Sequence, residues 1–324
     1  MGIGDARFCV NCGPSTMSNP YLGPMQPAPN LARYAQTVSL SVDQMREPLT
    51  LFTYQAGPAD GADAVLLIHG LQDEADSWRH VFEPLAHTHR VVAMDLPGFG
   101  RSTKNLRRYD VPLYVQTVIA LMDALNIQRA TLIGNSMGAM VAEALTLQNP
   151  ARVSKLVLVD GTLRIVSQGS KVSLNPIKWL LADYYDRRYF DALRKDAKAA
   201  YDTLMPYYAD LAGLPQADRE FLFQRVNERV WDEPQRKASL SIRNGFLKFF
   251  GLQVPKLVQG ISTLQTPTTV IWGEHDHIIP ARNGEERAAA QPRAHWHQIA
   301  NAGHLPHQER PAEFLDLVNL FLGV

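Results

Sequence analysis

Gly134-Asn135-Ser136-Met137-Gly138 is the stretch on which the fold of this 324-residue chain turns. Thr131-Leu132-Ile133 before it is a short apolar β-run, and Met137 to Gln148 after it carries apolar residues at helical spacing. A serine between two glycines at a strand-to-helix turn reads as a nucleophile elbow. The reason is steric. The turn must be sharp enough to lift the Ser136 hydroxyl above the sheet, and Gly134 and Gly138 remove side chains that would collide there. The helix that opens at Met137 aims its first N–H groups at the same spot, where negative charge develops during acyl transfer.

Outward from the elbow the chain alternates. Compact apolar runs at Leu51–Tyr54, Ala64–Ile68, Arg90–Met94, Lys155–Val159, Thr268–Trp272 and, more weakly, His295–Ile299 are separated by loops and helix-period segments. Val115–Leu125 and Pro311–Leu322 are two such segments. Buried strands alternating with helices predict an α/β fold, its parallel sheet covered on both faces. Ligands on such sheets bind at the carboxyl ends of the strands, where Gly, Asp, Ser and His collect here.

The alternation stops from 162 to 259, a helix-rich stretch broken by Pro176, Pro206, Pro215, Pro234 and Pro255 and dense in aromatic rings. We read it as a helical cap inserted over the strand ends, between core segments 36–161 and 260–324. Its rings, Trp179 among them, are candidates to line an apolar substrate pocket. Residues 1–35 carry Pro14, Pro20, Pro24, Pro27 and Pro29 with few aliphatic side chains, and read as an extended or disordered arm.

Composition narrows the classes. Lys+Arg and Asp+Glu are both 32, so the basic excess of a general nucleic-acid binder is absent. No apolar stretch approaches the ~18 residues of a transmembrane helix. The arm has no apolar signal-peptide core, so the default expectation is a cytoplasmic chain. The two cysteines, Cys9 and Cys12, form a lone CxxC without the second pair a zinc site needs, and are expected to be incidental.

A serine hydroxyl needs a base, and the base needs an orienting acid. Among ten histidines, His304 is favoured, with His307 its close competitor. It lies in the loop after the last strand, and Gly303 before it permits a tight turn. Asp276, after the Thr268–Trp272 strand, is the favoured acid, and Asp160 at the end of the preceding strand is the alternative. The oxyanion hole requires two N–H donors, expected from Met137 and Leu71. Gly70, Gln72 and Asn135 are candidate substrate contacts, while His69 braces the loop. Glu274-His275-Asp276-His277 is not read as a metal cluster, because adjacent strand-end residues point different ways. No metal and no cofactor are expected.

These residues resemble the α/β-hydrolase superfamily over about Thr50 to Leu322. The matching pieces are His69-Gly70, Asp95-Leu96-Pro97-Gly98-Phe99-Gly100-Arg101-Ser102, Gly134 to Gly138, Gly273-Glu274-His275-Asp276 and Gly303-His304, in family order. The resemblance implies a mostly parallel eight-stranded sheet flanked by helices, with a helical cap after the sixth strand. It implies a small-molecule ester or related acyl compound as substrate, cleaved through Ser136, His304 and Asp276. Branches that place an aspartate at the nucleophile are disfavoured by Ser136. Asn-Ser-Met-Gly is similar to the elbow of carbon–carbon hydrolases that cleave meta-ring-fission products. Those enzymes usually show a Gly/Pro-rich segment after His-Gly, where this chain has Leu71-Gln72-Asp73-Glu74. The cofactor-free haloperoxidase and perhydrolase group shares the triad, and some proteins of this fold are ligand receptors without turnover. A serine esterase is the broadest expectation; the residues say nothing of oligomeric state.

Overall fold

The computed structural model describes residues 20–21, 23–42, 47–58, 64–163 and 182–324. Cys9, Cys12 and Trp179 lie outside them. Eight strands form one sheet: β1 (Ala35–Leu40), β2 (Leu49–Ala56), β3 (Ala64–Ile68), β4 (Val91–Met94), β5 (Ala130–Asn135), β6 (Val153–Val159), β7 (Thr268–Gly273) and β8 (Ala294–Ile299). Their order is β1-β2-β4-β3-β5-β6-β7-β8. β1 and β2 pair antiparallel, as do β2 and β4, and every other neighbouring pair is parallel. The expected α/β-hydrolase sheet is therefore present, with its crossovers placing β5 in the middle.

Side chains of β3, β4 and β5 are buried along their whole length, which is why these strands read as unbroken apolar runs. Helices cover both faces: α1 (Phe82–Ala86), α2 (Val111–Ala124), α3 (Met137–Gln148), and, after β7 and β8, α8 (Arg282–Ala289) and α9 (Pro311–Leu322). α2 starts one turn earlier than its apolar stripe predicts. Asp110 caps it by accepting the Leu113 N–H at 3.0 Å, and a proline occupies the first turn. Between β6 and β7 lie α4 (Ala182–Leu193), α5 (Ala197–Asp202), α6 (Gln216–Trp231) and α7 (Glu233–Leu252), the helical insertion after the sixth strand. No helix among the described residues is long and apolar enough to cross a membrane.

Two features differ from the sequence expectation. β1 begins at Ala35, inside the stretch read as an arm, and only Leu40 of its six residues is buried. The preceding residues are not free chain either. Ala28 and Leu31 are fully buried in the cluster that holds Trp78 and Phe82. The Ala28 N–H donates to Tyr54 Oη at 2.9 Å. Chain around the last arm proline is thus fixed to the core by buried Ala28 and Leu31, and by side-chain bonds from Asn30 to Arg79 O at 2.9 Å and from Tyr34 to Glu83 at 2.8 Å.

A buried ion pair links the helices behind the site. Arg287 on α8 donates through Nε to Glu143 on α3, both side chains fully buried. Glu143 also accepts the Thr162 hydroxyl at 2.9 Å and the Leu163 N–H at 2.6 Å, which anchors the start of the insertion.

Candidate active site

β5 passes into α3 through a single residue, Ser136. Its φ and ψ are 54° and −116°, a backbone region that costs a non-glycine residue about 1–3 kcal/mol. Crowding enforces it. A Cβ on Gly134 would stand 2.3 Å from the Gly138 carbonyl oxygen, and one on Gly138 would stand 2.1 Å from that of Ile68. The Ser136 N–H donates to Val159 O at 2.8 Å, so β6 holds the elbow from the other side.

Asp276 follows β7 and His304 follows β8. Asp276 Oδ2 lies 2.8 Å from His304 Nδ1, with the two side chains 0% and 2% exposed. Asp276 Oδ1 accepts the N–H groups of Ile278 and Ile279 at 2.7 and 3.0 Å, which fixes the carboxylate plane. With a carboxylate at Nδ1, the proton resides there and Nε2 is the basic nitrogen. Nε2 is buried without a hydrogen-bond partner among the described residues. Ser136 and His304 line the same cavity. Their hydrogen bond is not formed in this structure; such contacts commonly tighten as substrate binds.

His304 is held from the insertion. Its N–H donates to Tyr207 O at 2.8 Å, and the Tyr207 ring centroid is 5.7 Å from the imidazole. A Cβ on Gly303 would lie 2.7 Å from both Tyr207 O and Ala209 N. Gly303 therefore serves close approach to the insertion, a stronger reason than the tight turn expected from sequence.

Met137 opens α3, and no described acceptor takes its N–H or that of Leu71. Gly70, Leu71, Gln72 and Asn135 line the cavity beside Ser136. Gln72 has a φ of 61°. The Asn135 Nδ2 donates to Val159 O at 3.3 Å and His304 O at 3.1 Å. It ties the serine strand to the histidine loop. His69 braces its loop, with Nδ1 2.7 Å from Gly70 O and Nε2 accepting the Leu96 N–H at 2.9 Å. His307 packs on Trp78 with ring centroids 4.3 Å apart, and its Nε2 is 3.0 Å from Ser77 Oγ. Burial, aided by the Arg79 charge, holds its pKa well below the ordinary histidine value. Glu274, His275 and His277 are exposed, so of that run Asp276 alone turns inward to His304.

Sequence reasoning missed Arg225 and Arg229, one helical turn apart on α6. Arg229 lines the cavity and donates through Nη2 to Asp73 Oδ1 and Glu74 Oε1, both at 2.6 Å. Arg225 Nε donates to Asp76 Oδ2 at 3.0 Å. Burial alone would lower the Arg229 pKa, but Glu74 and Asp73 outweigh it and raise the pKa, so the cation persists. The acids of the loop after β3 and two arginines four apart were visible as residue types. Their pairing across about 150 positions was not.

The cavity has a volume of about 190 Å³. Phe190, Leu193, Leu204, Leu222, Val226 and Val230 form its apolar side, all from the insertion.

Comparison with known proteins agrees with this fold. The family model described as alpha/beta hydrolase fold matches residues 63–311. A 2-hydroxy-6-oxononadienedioate/2-hydroxy-6-oxononatrienedioate hydrolase of Pseudomonas putida is 32% identical over 269 residues, covering 81% of this chain and 88% of that protein. A thermophilic esterase from Thermogutta terrifontis superposes with a TM-score of 0.70 at 23% identity, over 89% of this chain and 98% of the other. A 2-hydroxy-6-oxo-6-phenylhexa-2,4-dienoate hydrolase from a Rhodococcus strain gives 0.71 at 21% identity, over 90% and 100%.

Proposed function

The chain belongs to the alpha/beta hydrolase family, and from that premise we propose that it is a serine hydrolase cleaving a carboxylic ester with an apolar acyl portion. The observation that carries this reading is the buried Asp276–His304 pair facing the cavity that Ser136 opens into. His304 Nε2 takes the Ser136 proton while Oγ attacks the ester carbonyl carbon. The N–H groups of Leu71 and Met137 receive the oxyanion, and Asp276 steadies the imidazolium. Collapse breaks the carbon–oxygen bond, and the alcohol leaves with the proton from His304. Water then repeats the sequence, its proton passing to His304 and back to Ser136 as the acid is released. Residues 162–259 act as the cap, supplying the apolar wall.

The Pseudomonas putida relative supports a second reading, hydrolysis of a carbon–carbon bond in a vinylogous diketone. The loop after His69-Gly70 speaks for the ester. In place of a Gly/Pro-rich segment it carries Asp73 and Glu74 pinned by Arg229, and Gln72 at positive φ.

A series of nitrophenyl esters from acetate to decanoate separates these readings. kcat/KM should rise about fourfold for each methylene buried, at ~0.8 kcal/mol each, and fall once the cavity is full. A flat series would remove the apolar pocket from the account. Turnover of a vinylogous diketone well above that of every ester would transfer the assignment to carbon–carbon hydrolysis.

A further inference from the structure

Asp160 ends β6 fully buried and has no part in the steps above. Its backbone is fixed in a positive φ of 48°, with its N–H donating to Ile271 O at 3.1 Å. Its Oδ1 accepts the Gly273 N–H at 2.9 Å. Its Oδ2 is buried, and no donor among the described residues reaches it. What stands against it is another acid. One carboxyl oxygen of Asp160, one of Asp276 and a ring nitrogen of His304 all lie within 4.8 Å of one another.

The surrounding charges do not relieve this crowding. Glu309, whose carboxylate accepts the N–H groups of Gly303 and Ala209, adds further negative charge. Among the described residues no lysine or arginine pairs with Asp160 or Asp276, and His304 is the only basic side chain that does. Two ionised carboxylates side by side in a dry site repel, and an acceptor-only Oδ2 would be left with nothing to accept. One proton on Oδ2 removes both problems. It turns the orphan acceptor into a donor, and the neighbouring acceptor is the Asp276 carboxylate, whose two oxygens offer about four acceptor positions. Burial first, and the Asp276 charge second, push the Asp160 carboxyl well above the usual carboxylate range.

We propose that Asp160 is a positioning residue that remains protonated in the working enzyme and donates a hydrogen bond from Oδ2 to the carboxylate of Asp276. The donated bond orients Asp276 toward His304 and withdraws charge from it. The imidazolium is then stabilised less, and the free base is available at lower pH. This role rests on the reading of Asp276 and His304 as an acid–base pair.

The test compares kcat/KM against pH for wild type, Asp160→Asn and Asp160→Ala, with infrared difference spectra of the same proteins. Asparagine is isoelectric with a protonated aspartic acid. Its Oδ1 keeps the Gly273 bond, and its Nδ2 donates to Asp276. The acid limb of Asp160→Asn should therefore overlie that of wild type. Asp160→Ala removes the donor and leaves Asp276 more negative, so its acid limb should move up by about half a unit to one unit. If Asp160 were ionised, both substitutions would delete a negative charge and both limbs would move down. That result, or three coincident limbs, overturns the proposal. In the infrared, wild type at neutral pH should show the carbonyl stretch of a protonated carboxyl that Asp160→Asn lacks. Absence of the band also overturns it. Because the band needs no turnover, its presence in a protein that hydrolyses no ester would sink the functional reading and leave Asp160 protonated.

Discussion

Ser136→Ala is expected to lower kcat by about four orders of magnitude or more, with KM little changed. Residues of a concerted triad act as one unit, so removing the nucleophile forfeits the contribution of the base and acid together. The residual rate would come from the Leu71 and Met137 donors and from binding alone. Alanine adopts the same strained φ as serine and leaves the elbow packing intact, so the folded state should persist. Burst and steady-state kinetics on purified protein measure the effect. A kcat within tenfold of wild type would place the nucleophile elsewhere; among the described residues no other serine has a positive φ.

The largest effect on stability is expected behind the site. Arg287→Met should destabilise the protein by about 3–5 kcal/mol, because it strands the Glu143 carboxylate in a fully buried position. Among the described residues Glu143 would keep the Thr162 hydroxyl and the Leu163 N–H as partners. The companion double variant, Glu143→Leu with Arg287→Met, removes both charges and should recover much of that loss. It would not recover all of it, since the start of the insertion loses its anchor. Denaturant melts of the four proteins form a double-mutant cycle. A loss in the double variant equal to the sum of the losses in Arg287→Met and Glu143→Leu would show that the pair contributes no coupling energy.

The two outcomes reflect different kinds of information in the chain. The elbow was legible because its signature is local: Gly134 and Gly138 stand four positions apart around Ser136, the first clearing the Gly138 backbone and the second clearing the end of β3. The strands β3 to β7 were legible because both of their faces are buried, which leaves unbroken apolar runs. β1 was not, since an edge strand with one buried residue in six carries no such signature. Leu31 escaped notice for a related reason. A single buried leucine in a proline-rich stretch has no periodicity, and the surface that buries it lies some fifty residues further along.

At the site, residue type and strand order pointed to Ser136, Asp276 and His304. They could not reveal that the amide of Asn135 bridges to the His304 carbonyl, or that Arg229 secures the loop holding Leu71. Both are contacts between segments far apart in sequence, set by how the layers pack. Asp160 is the sharpest case. As a residue it could serve equally well as the acid of the triad. Only its burial and the nearness of Asp276, which already faces His304, distinguish a proton-bearing neighbour from the orienting carboxylate.

The central claim is that Ser136 is an activated nucleophile driven by His304. It is tested most directly by treating the folded protein with a fluorophosphonate probe and mapping the adduct by peptide mass spectrometry. The account predicts one covalent adduct, on Ser136, abolished in Ser136→Ala and strongly slowed in His304→Ala. An unlabelled Ser136 in folded wild-type protein, or an adduct on a different residue, would contradict it.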